Sequence, residues 1–276
     1  MSFEVKVIAD SITPYHSARL TTLQCTYPRI IHSELMTHRM FSRNASSSRA
    51  IPLSKMIKAV QDNPFLPVHW GRNQSGMSAR EELGPEEQAE AKEIWLYMRD
   101  QAVAGALSLE EVGLHKQIAN RALETWAWIT VIITATDWNN FYVQRTHEDA
   151  QPEIQHLAKL MRDVYASAVP EELAMGAWHM PYLQREDYVL TGGHLESLRK
   201  ISVARCARVS YLTQEGTRDH AKDLELYERL RSGGANGHWS PFEHVATPSP
   251  TLDYSGNFRG WHQYRKQFTV ENQQVN

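Results

Sequence analysis

Thirteen consecutive residues, THRMFSRNASSSR from Thr37 to Arg49, bring together one imidazole, three guanidiniums, one amide and four serine hydroxyls. Arginine presents a rigid fork of donors that suits phosphate or carbonyl oxygens. Serine and asparagine hydrogen-bond to nearby backbone groups and therefore favour loops. A flexible surface loop has a similar composition, and this alternative stays open. We interpret the stretch as a loop that binds a phosphorylated ligand rich in hydrogen-bonding groups.

A second segment, RTHEDAQPEI over residues 145–154, has the features of a helix start. Pro152 suits the first turn of a helix, and Glu153 favours the positive end of the helix dipole. Apolar residues then recur at helical spacing at positions Ile154, Leu157, Ala158, Met161 and Tyr165. An ordinary capped amphipathic helix accounts for the apolar residues, but it gives no role to Arg145 or Gln151.

Two further polar segments lie in the last third of the chain. They read SVARCARVSY from Ser202 to Tyr211 and GHWSPFEH from Gly237 to His244. Residues Asp223 to Leu230, between them, are predicted to form a helix.

Taken together, these segments resemble the motifs of the flavin-dependent thymidylate synthases. The signature loop of that family reads roughly R-H-R, two residues, S, one residue, N-E, one residue, S, one residue, R-Y. The chain matches this pattern at His38, Arg39, Ser42, Asn44, Ser47 and Arg49. It departs from it at Thr37, Ala45 and Ala50, where the family has Arg, Glu and Tyr. The family also has an Arg ahead of A-Q-x-E-I, an Asn at the position of Asn140, an A-R-V-S/C-Y segment and an H-x-S/T-P-x-E-H segment.

The order of the motifs differs from that of the family. The A-R-V-S and H-x-S-P-x-E-H elements precede the signature loop in the family, whereas they follow it here. We interpret the chain as a circular permutation, which domains tolerate because their termini often lie close together. The resemblance implies a mixed α/β (α+β) fold like that of the thymidylate synthase complementing proteins, with a central sheet flanked by long helices. We expect a single domain over residues 1–276.

Composition agrees with an ordinary globular protein. The 276 residues are 42% hydrophobic and 22% charged. A formal charge of −3 argues against general nucleic-acid binding, which needs a basic face. The only cysteines, Cys25 and Cys206, favour a reducing compartment. The N-terminus lacks the apolar run of a signal peptide, and the apolar run over residues 127–135 is too short to cross a bilayer. We expect a soluble cytoplasmic protein that does not associate with membranes.

Hydrophobic patterning predicts several elements. Alternation at Phe3, Val5 and Val7 indicates a strand, and Leu20 to Tyr27 indicates another. Residues 126–144 are rich in Thr, Val and Ile, which favours a strand, but their length and the family resemblance led us to prefer a helix. The remaining predictions are a short helical segment after Pro28, helices at Lys55–Gln61 and Glu86–Leu107, a loop at Asn63–Gly76, and turns at Gly192-Gly193 and Gly233-Gly234. The long helix is expected to bury Ile94, Trp95, Met98 and Ala102 on one face.

Several common motifs are missing from the sequence. It has no G-x-G-x-x-G, no P-loop, no H-E-x-x-H and no C-x-x-C. His238, Glu243 and His244 match no standard metal spacing, so we predict no metal site. The segment from Ser255 to Lys266 is rich in aromatic and cationic residues. It is either a surface strand whose charged side chains lie along it or a cap over a nucleotide.

The resemblance implies a function. Flavin-dependent thymidylate synthases transfer a one-carbon unit from methylenetetrahydrofolate to C5 of dUMP, with FAD as redox centre and NADPH as reductant, and give dTMP. They are homotetramers whose active sites lie at subunit interfaces. The cofactors carry the difficult chemistry, while the protein supplies binding and orientation.

The same resemblance implies roles for individual residues. We expect FAD to contact His38, Arg39, Asn140, Ser210, His238, Ser240 and Glu243. We expect the dUMP phosphate and pyrimidine to contact Ser47, Arg49, Arg121, Arg145 and Gln151. Arg145 and Ser47 are the catalytic candidates: Arg145 is expected to polarise the uracil, and Ser47 falls on a motif serine that we assign to nucleotide binding. Family members have Gln and Arg where this chain has Glu34 and Thr37, and Gln263 with Arg265 or Lys266 is a candidate replacement in space.

Three alternatives remain open. The departures at Thr37, Ala45 and Ala50 leave room for a related enzyme that modifies C5 of a pyrimidine nucleotide, by hydroxymethylation or with dCMP as substrate. A non-catalytic homologue that binds a nucleotide or nucleic acid is the second. A metal-dependent hydrolase that uses His238 and His244 is the third.

Overall fold

The structure, a computed structural model, describes residues 2–209, 219–232 and 237–268. Its strands are β1 (Glu4–Thr13), β2 (His16–Pro28), β3 (Ser42–Ala45), β4 (Trp128–Ala135), β5 (Glu171–Glu172), β6 (Ala246–Pro248), β7 (Tyr254–Ser255), β8 (Phe258–Arg259) and β9 (Trp261–Gln263). Its α-helices are α1 (His32–Met36), α2 (Leu53–Asp62), α3 (Pro85–Glu111), α4 (Lys116–Ala119), α5 (Asn139–Arg145), α6 (Pro152–Ser167), α7 (Arg185–Leu190), α8 (Leu195–Arg208) and α9 (His220–Ser232). None of these helices combines the length and the apolar character that crossing a membrane requires.

A mixed sheet of five strands in the order β3-β4-β2-β1-β5 forms the centre of the fold. All neighbouring pairs are antiparallel except β1 and β5, which are parallel. Strand β2 pairs with β4 along its whole second half, from Thr21 opposite Ala135 to Pro28 opposite Trp128. The mixed α/β class and both strands predicted near the N-terminus are confirmed.

The predicted helix over residues 126–144 is wrong in its first half. Residues Trp128–Ala135 form β4, and only Asn139–Arg145 are helical. Strand β4 lies between β3 and β2, and Val131, Ile132 and Ile133 are fully buried. A strand buried on both faces shows a continuous apolar run in place of alternation, so its periodicity resembles that of a buried helix. Its β-branched residues favour the strand.

The other predicted helices are confirmed. Helix α3 extends beyond the predicted Glu86–Leu107, but Ile94 and Met98 are about half exposed and do not share the buried face of Trp95. Helices α2, α6 and α9 cover their predicted ranges, and α1 follows a 3₁₀ turn after Pro28. Gly192 and Gly193 have positive φ angles in a turn. Gly233 and Gly234 lie outside the described residues.

Helix α6 covers one face of the sheet. It packs against β1 and β2, and its residues Ile154, Leu157, Ala158 and Met161 are fully buried in a core that also contains Phe141 of α5. Phe41, which directly precedes β3, packs against Phe141, so α5 lies beside the chain that leads into β3. On the other side of β3, the 3₁₀ helix Ser240–His244 packs against the strand, so the C-terminal part of the chain reaches the same region.

Candidate active site

Arg145, the last residue of α5, contacts three side chains from one turn of the chain around α1. Its Nε donates to Nε2 of His38 at 2.9 Å. One terminal nitrogen lies 3.4 Å from Oε2 of Glu34, and the other donates to Oγ1 of Thr37 at 3.4 Å. The structure therefore joins the second sequence segment to the first at the two residues that the motifs single out.

His38 is buried and uncharged. Its side chain packs edge-on against Phe141, and burial followed by the nearby charges of Arg145 and Arg43 lowers its pKa to about 4. Because Nε2 accepts a hydrogen bond from Arg145, the ring hydrogen of the neutral imidazole is on Nδ1. His38 is therefore an acceptor that orients the guanidinium.

Arg43 holds the signature loop in shape. One of its terminal nitrogens lies within hydrogen-bonding distance of the carbonyl oxygens of Leu35, Met36 and His38, at 3.0–3.1 Å. Burial lowers the pKa of Arg43, although the charge on Glu243 opposes this effect. Arg43 therefore has a structural role in the loop. It donates to carbonyl oxygens at the C-terminal end of α1 that have no partner within the helix.

An open cleft of about 1040 Å³ lies beside Arg145. Glu34, Arg145 and Gln151 line it together with residues 67–69 and 77–80 and the first turns of α6. A pocket of this size holds a ligand larger than a single nucleotide.

The start of α6 fixes one wall of this cleft. The Gln151 side chain caps the helix by accepting a hydrogen bond from the Ile154 backbone N–H at 3.2 Å. The buried Glu153 accepts hydrogen bonds from the Gln151 side chain and from the backbone N–H of Val68, the latter at 2.9 Å. The predicted helix start is confirmed, and it places the Gln151 amide at the cleft.

The other candidates for nucleotide binding lie away from this cleft. Arg49 is exposed, Ser47 is half-buried, and neither lines it. Arg121 is exposed and pairs with Glu124 at 2.9 Å. The signature loop is instead supported by the fully buried Asn120, whose amide donates to the carbonyl oxygens of Ser48 and Ile51. No local spacing in the sequence indicated Asn120.

The FAD candidates divide into two groups. Arg39, Asn140 and His238 have exposed side chains. Ser240 donates to Oδ1 of Asn44 at 2.6 Å, while the Asn44 amide donates to the Cys206 carbonyl oxygen at 3.2 Å. Glu243 forms an ion pair with Arg265, and Ser210 lies outside the described residues.

This donor set suits a flavin dinucleotide in its chemistry. Arg39 presents a cation that matches a pyrophosphate. The paired Asn44 and Ser240 present polar groups of the kind that contact the edge of a heterocyclic ring.

Gln263, a candidate replacement for the family's glutamine, does not line the cleft, and neither do Arg265 and Lys266. The buried Gln263 side chain contacts Ser42, Asn257 and the Glu243 carbonyl oxygen, so it supports β3 from behind. Phe258 and Trp261 are fully buried, so the segment from Ser255 to Lys266, which contains β8 and β9, lies partly in the core.

A buried chain of hydrogen bonds crosses the sheet and ends at His244. Ser11, His179, Thr22, Thr134 and His244 are linked in that order by bonds of 2.7–2.8 Å. The other ring nitrogen of His244, Nε2, is buried and has no hydrogen-bond partner in the part of the chain that the structure describes. The five residues come from separate parts of the sequence, so no sequence motif predicts this hydrogen-bond network. Within the described ranges, no group of three His, Cys, Asp or Glu side chains is arranged to hold a metal ion.

Comparison with known proteins shows which family this chain resembles. The sequence profile described as thymidylate synthase complementing protein matches residues 14–171, more than half of the chain. Searching curated protein sequences gave no significant match. Among solved structures, the UMP/dUMP methylase PolB from Streptomyces cacaoi bound with 5-Br UMP aligns with a TM-score of 0.50 at 16% identity, over 60% of this chain and 90% of that chain. The same enzyme bound with 5-Br dUMP gives a TM-score of 0.49 at 15% identity, over 60% and 91%.

The matched range contains the signature loop and the Arg145–Ile154 segment, and it ends before the third group of motifs. The likeness to PolB shows a shared fold. The resemblance predicted from the sequence is confirmed: the chain belongs to the thymidylate synthase complementing protein family.

Proposed function

We propose that this protein transfers a one-carbon unit from methylenetetrahydrofolate to C5 of dUMP and reduces it to a methyl group, giving dTMP. The carbon arrives at the oxidation level of formaldehyde, so two electrons from NADPH are needed, with FAD as the redox cofactor. The observation that carries the proposal is the placement of Arg145, with Gln151 and Glu34, in a cleft large enough for a nucleotide and a second ligand, and in contact with His38 of the signature loop. Family membership and the uridine nucleotides bound to PolB support it.

Arg145 is assigned the central role. Its guanidinium has five N–H donors, of which three point to His38, Glu34 and Thr37, leaving two for a ligand. A uracil carbonyl in the cleft accepts these donors, and the fixed positive charge stabilises the negative charge that develops on the ring as C5 forms its new bond. Gln151 contributes an amide at the same wall.

FAD would be held by His38, Arg39, Asn140, Ser210, His238, Ser240 and Glu243, and it supplies hydride chemistry that amino-acid side chains lack. Ser47, Arg49 and Arg121 would bind the nucleotide phosphate. Because Arg39, Arg49 and His238 are exposed and lie outside the cleft, a homotetramer with sites at its interfaces is part of the proposal. A cytoplasmic location is included as well, since the buried free thiols Cys25 and Cys206 suit a reducing compartment.

Two measurements test the proposal. The absorption spectrum of the purified protein, with added FAD if needed, should show the two visible bands of oxidised flavin. Incubation with dUMP, NADPH and isotopically labelled methylenetetrahydrofolate should give labelled dTMP, identified by mass. A protein that takes up no flavin and binds no pyrimidine nucleotide would contradict the proposal.

The departures at Thr37, Ala45 and Ala50 favour one second candidate, a different C5 modification in the same cleft. A product one oxygen atom heavier than dTMP would indicate hydroxymethylation. Conversion of dCMP in preference to dUMP would indicate a cytosine nucleotide as substrate.

A further inference from the structure

Among the described residues, Arg145 has three side-chain partners in His38, Glu34 and Thr37, and of these Glu34 alone also lines the cleft. Its carboxylate is about one-third exposed, and its Oε2 lies 3.4 Å from a terminal nitrogen of Arg145. His38 is neutral, and Thr37 carries a hydroxyl, so Glu34 is also the only partner with a charge. A ligand that approaches Arg145 through the cleft therefore meets the carboxylate at the same time.

The pair presents a donor beside an acceptor. A guanidinium only donates hydrogen bonds, and an ionised carboxylate only accepts them. The imide edge of uracil is complementary, because a carbonyl oxygen lies next to the N3–H group. Cytosine carries a lone pair at N3, which a carboxylate in that position would repel. A bound base shields this edge from water, so a polar group left without a partner there makes the mismatched ligand bind less tightly.

We propose that Glu34 is a specificity-determining residue, which accepts the N3–H hydrogen of a uracil base while Arg145 donates to the adjacent carbonyl oxygen. The assignment rests on the proposed function and names its substrate class: uracil nucleotides are selected over cytosine nucleotides. Glu34 takes no part in bond formation, and its effect is on which base is held with C5 in place.

Calorimetric titration of the full-length protein with dUMP, dCMP and 3-methyl-dUMP tests the assignment. The wild-type protein should bind dUMP about tenfold or more tightly than either analogue, since dCMP and the methylated base both lack the N3–H donor. Glu34→Gln keeps the size of the side chain but adds an amide that donates to cytosine N3, so the preference for dUMP over dCMP should shrink by about tenfold. Glu34→Ala should bind dUMP and 3-methyl-dUMP with similar affinity.

Glu148→Gln is the matched control. Glu148 lines the same cleft and is exposed, and it is not among the hydrogen-bond and ion-pair partners of Arg145. This variant removes the same charge and should keep the wild-type preference. If folded Glu34→Gln and Glu34→Ala proteins keep the full preference for dUMP, the role of Glu34 is overturned while the proposed function stands. Failure of the wild-type protein to bind any of the three nucleotides would overturn both.

Discussion

Arg145 donates from all three of its nitrogens to side chains of one short segment, and this arrangement determines what its replacement would change. The residue ends a helix and is about one-quarter exposed, so it contributes little to the core. His38 is the partner most affected by its removal, because its buried Nε2 accepts the shortest of the three bonds. These hydrogen bonds orient the Arg145 guanidinium more than they stabilise the fold.

Replacement of Arg145 by alanine should lower turnover of dUMP by about 100- to 1000-fold, the range seen when one preorganised donor to a developing charge is removed. The free energy of unfolding should fall by about 1–2 kcal/mol, since the two long, partly exposed bonds to Glu34 and Thr37 contribute little and the main loss is the bond to the buried His38. Steady-state kinetics and urea unfolding measure the two effects. Arg145→Lys, which keeps the charge but not the planar fork, should lie between wild type and alanine. Activity of Arg145→Ala within twofold of wild type would remove Arg145 from the mechanism.

The contact between His38 and Arg145 follows from the sequence only through the motif resemblance. The two residues are 107 positions apart, and no periodicity connects them. The sequence analysis does not predict the contact between Glu34 and Arg145, because it treats Glu34 only as a residue that stands where the family has glutamine. Which partners a charged side chain finds depends on tertiary packing, and this information is not present in the composition of a single loop.

At the scale of elements, Gln151 combines two roles that substitution can separate. Its side chain caps α6 and also lines the cleft. Gln151→Ala should lower the free energy of unfolding by about 1–2 kcal/mol through loss of the cap and of the hydrogen bond to the buried Glu153. Gln151→Ser should recover the part that comes from the cap, because serine caps helices well but does not reach into the cleft. Both variants should reduce kcat/KM for dUMP to a similar extent, roughly tenfold.

Urea unfolding and steady-state kinetics on the same preparations give both quantities. If Gln151→Ser restores kcat/KM together with stability, Gln151 acts only as a helix cap. If neither variant changes stability, the 3.2 Å contact to the Ile154 N–H does not contribute to the helix.

Most elements follow from local patterns, and β4 shows where such patterns fail. Helix α6 was predictable because Pro152, Glu153 and a periodic apolar face agree with one another. Strand β4 was not, since full burial between β3 and β2 removes the alternation that identifies a strand. Burial on both faces is a property of the sheet, and one strand's sequence does not report it.

At the scale of the whole molecule, contacts between distant parts of the chain favour one cooperative unit. Asn44 of β3 bonds to Cys206 and Ser240, and the chain from Ser11 to His244 links β1, β2 and β4 to the C-terminal part. We therefore propose that residues 1–276 form a single domain. Cys206 and Ser240, from the motifs in the last third of the chain, contact Asn44 of the signature loop. A circular permutation predicts such contacts, because it changes the order of the motifs along the chain but not their positions in space.

The buried hydrogen-bond network from Ser11 to His244 predicts that the stability of the fold is sensitive to acid. Burial lowers the pKa of His179 and of His244 to about 3, and His244 contributes further to the shift of His179. An unfolded chain takes up protons on these histidines near pH 6.5, whereas the folded protein does not until well below pH 5. The stability that the neutral rings contribute is therefore fully present above pH 6.5 and is lost as the pH falls toward 3. Between pH 6.5 and pH 5, before most carboxylates titrate, the free energy of unfolding should fall by a few kcal/mol. At each pH, urea should unfold the protein in a single transition.

Urea unfolding followed by circular dichroism and tryptophan fluorescence across this pH range measures the slope and tests whether the transition is shared. His244→Gln should be less stable at pH 7, but its slope should be shallower by up to about one proton. His262→Gln is the matched control, since it makes the same substitution at an exposed histidine outside the buried hydrogen-bond network. Equal slopes for the two variants would show that His244 is not a source of the acid sensitivity, and separate transitions for the two probes would contradict the single domain.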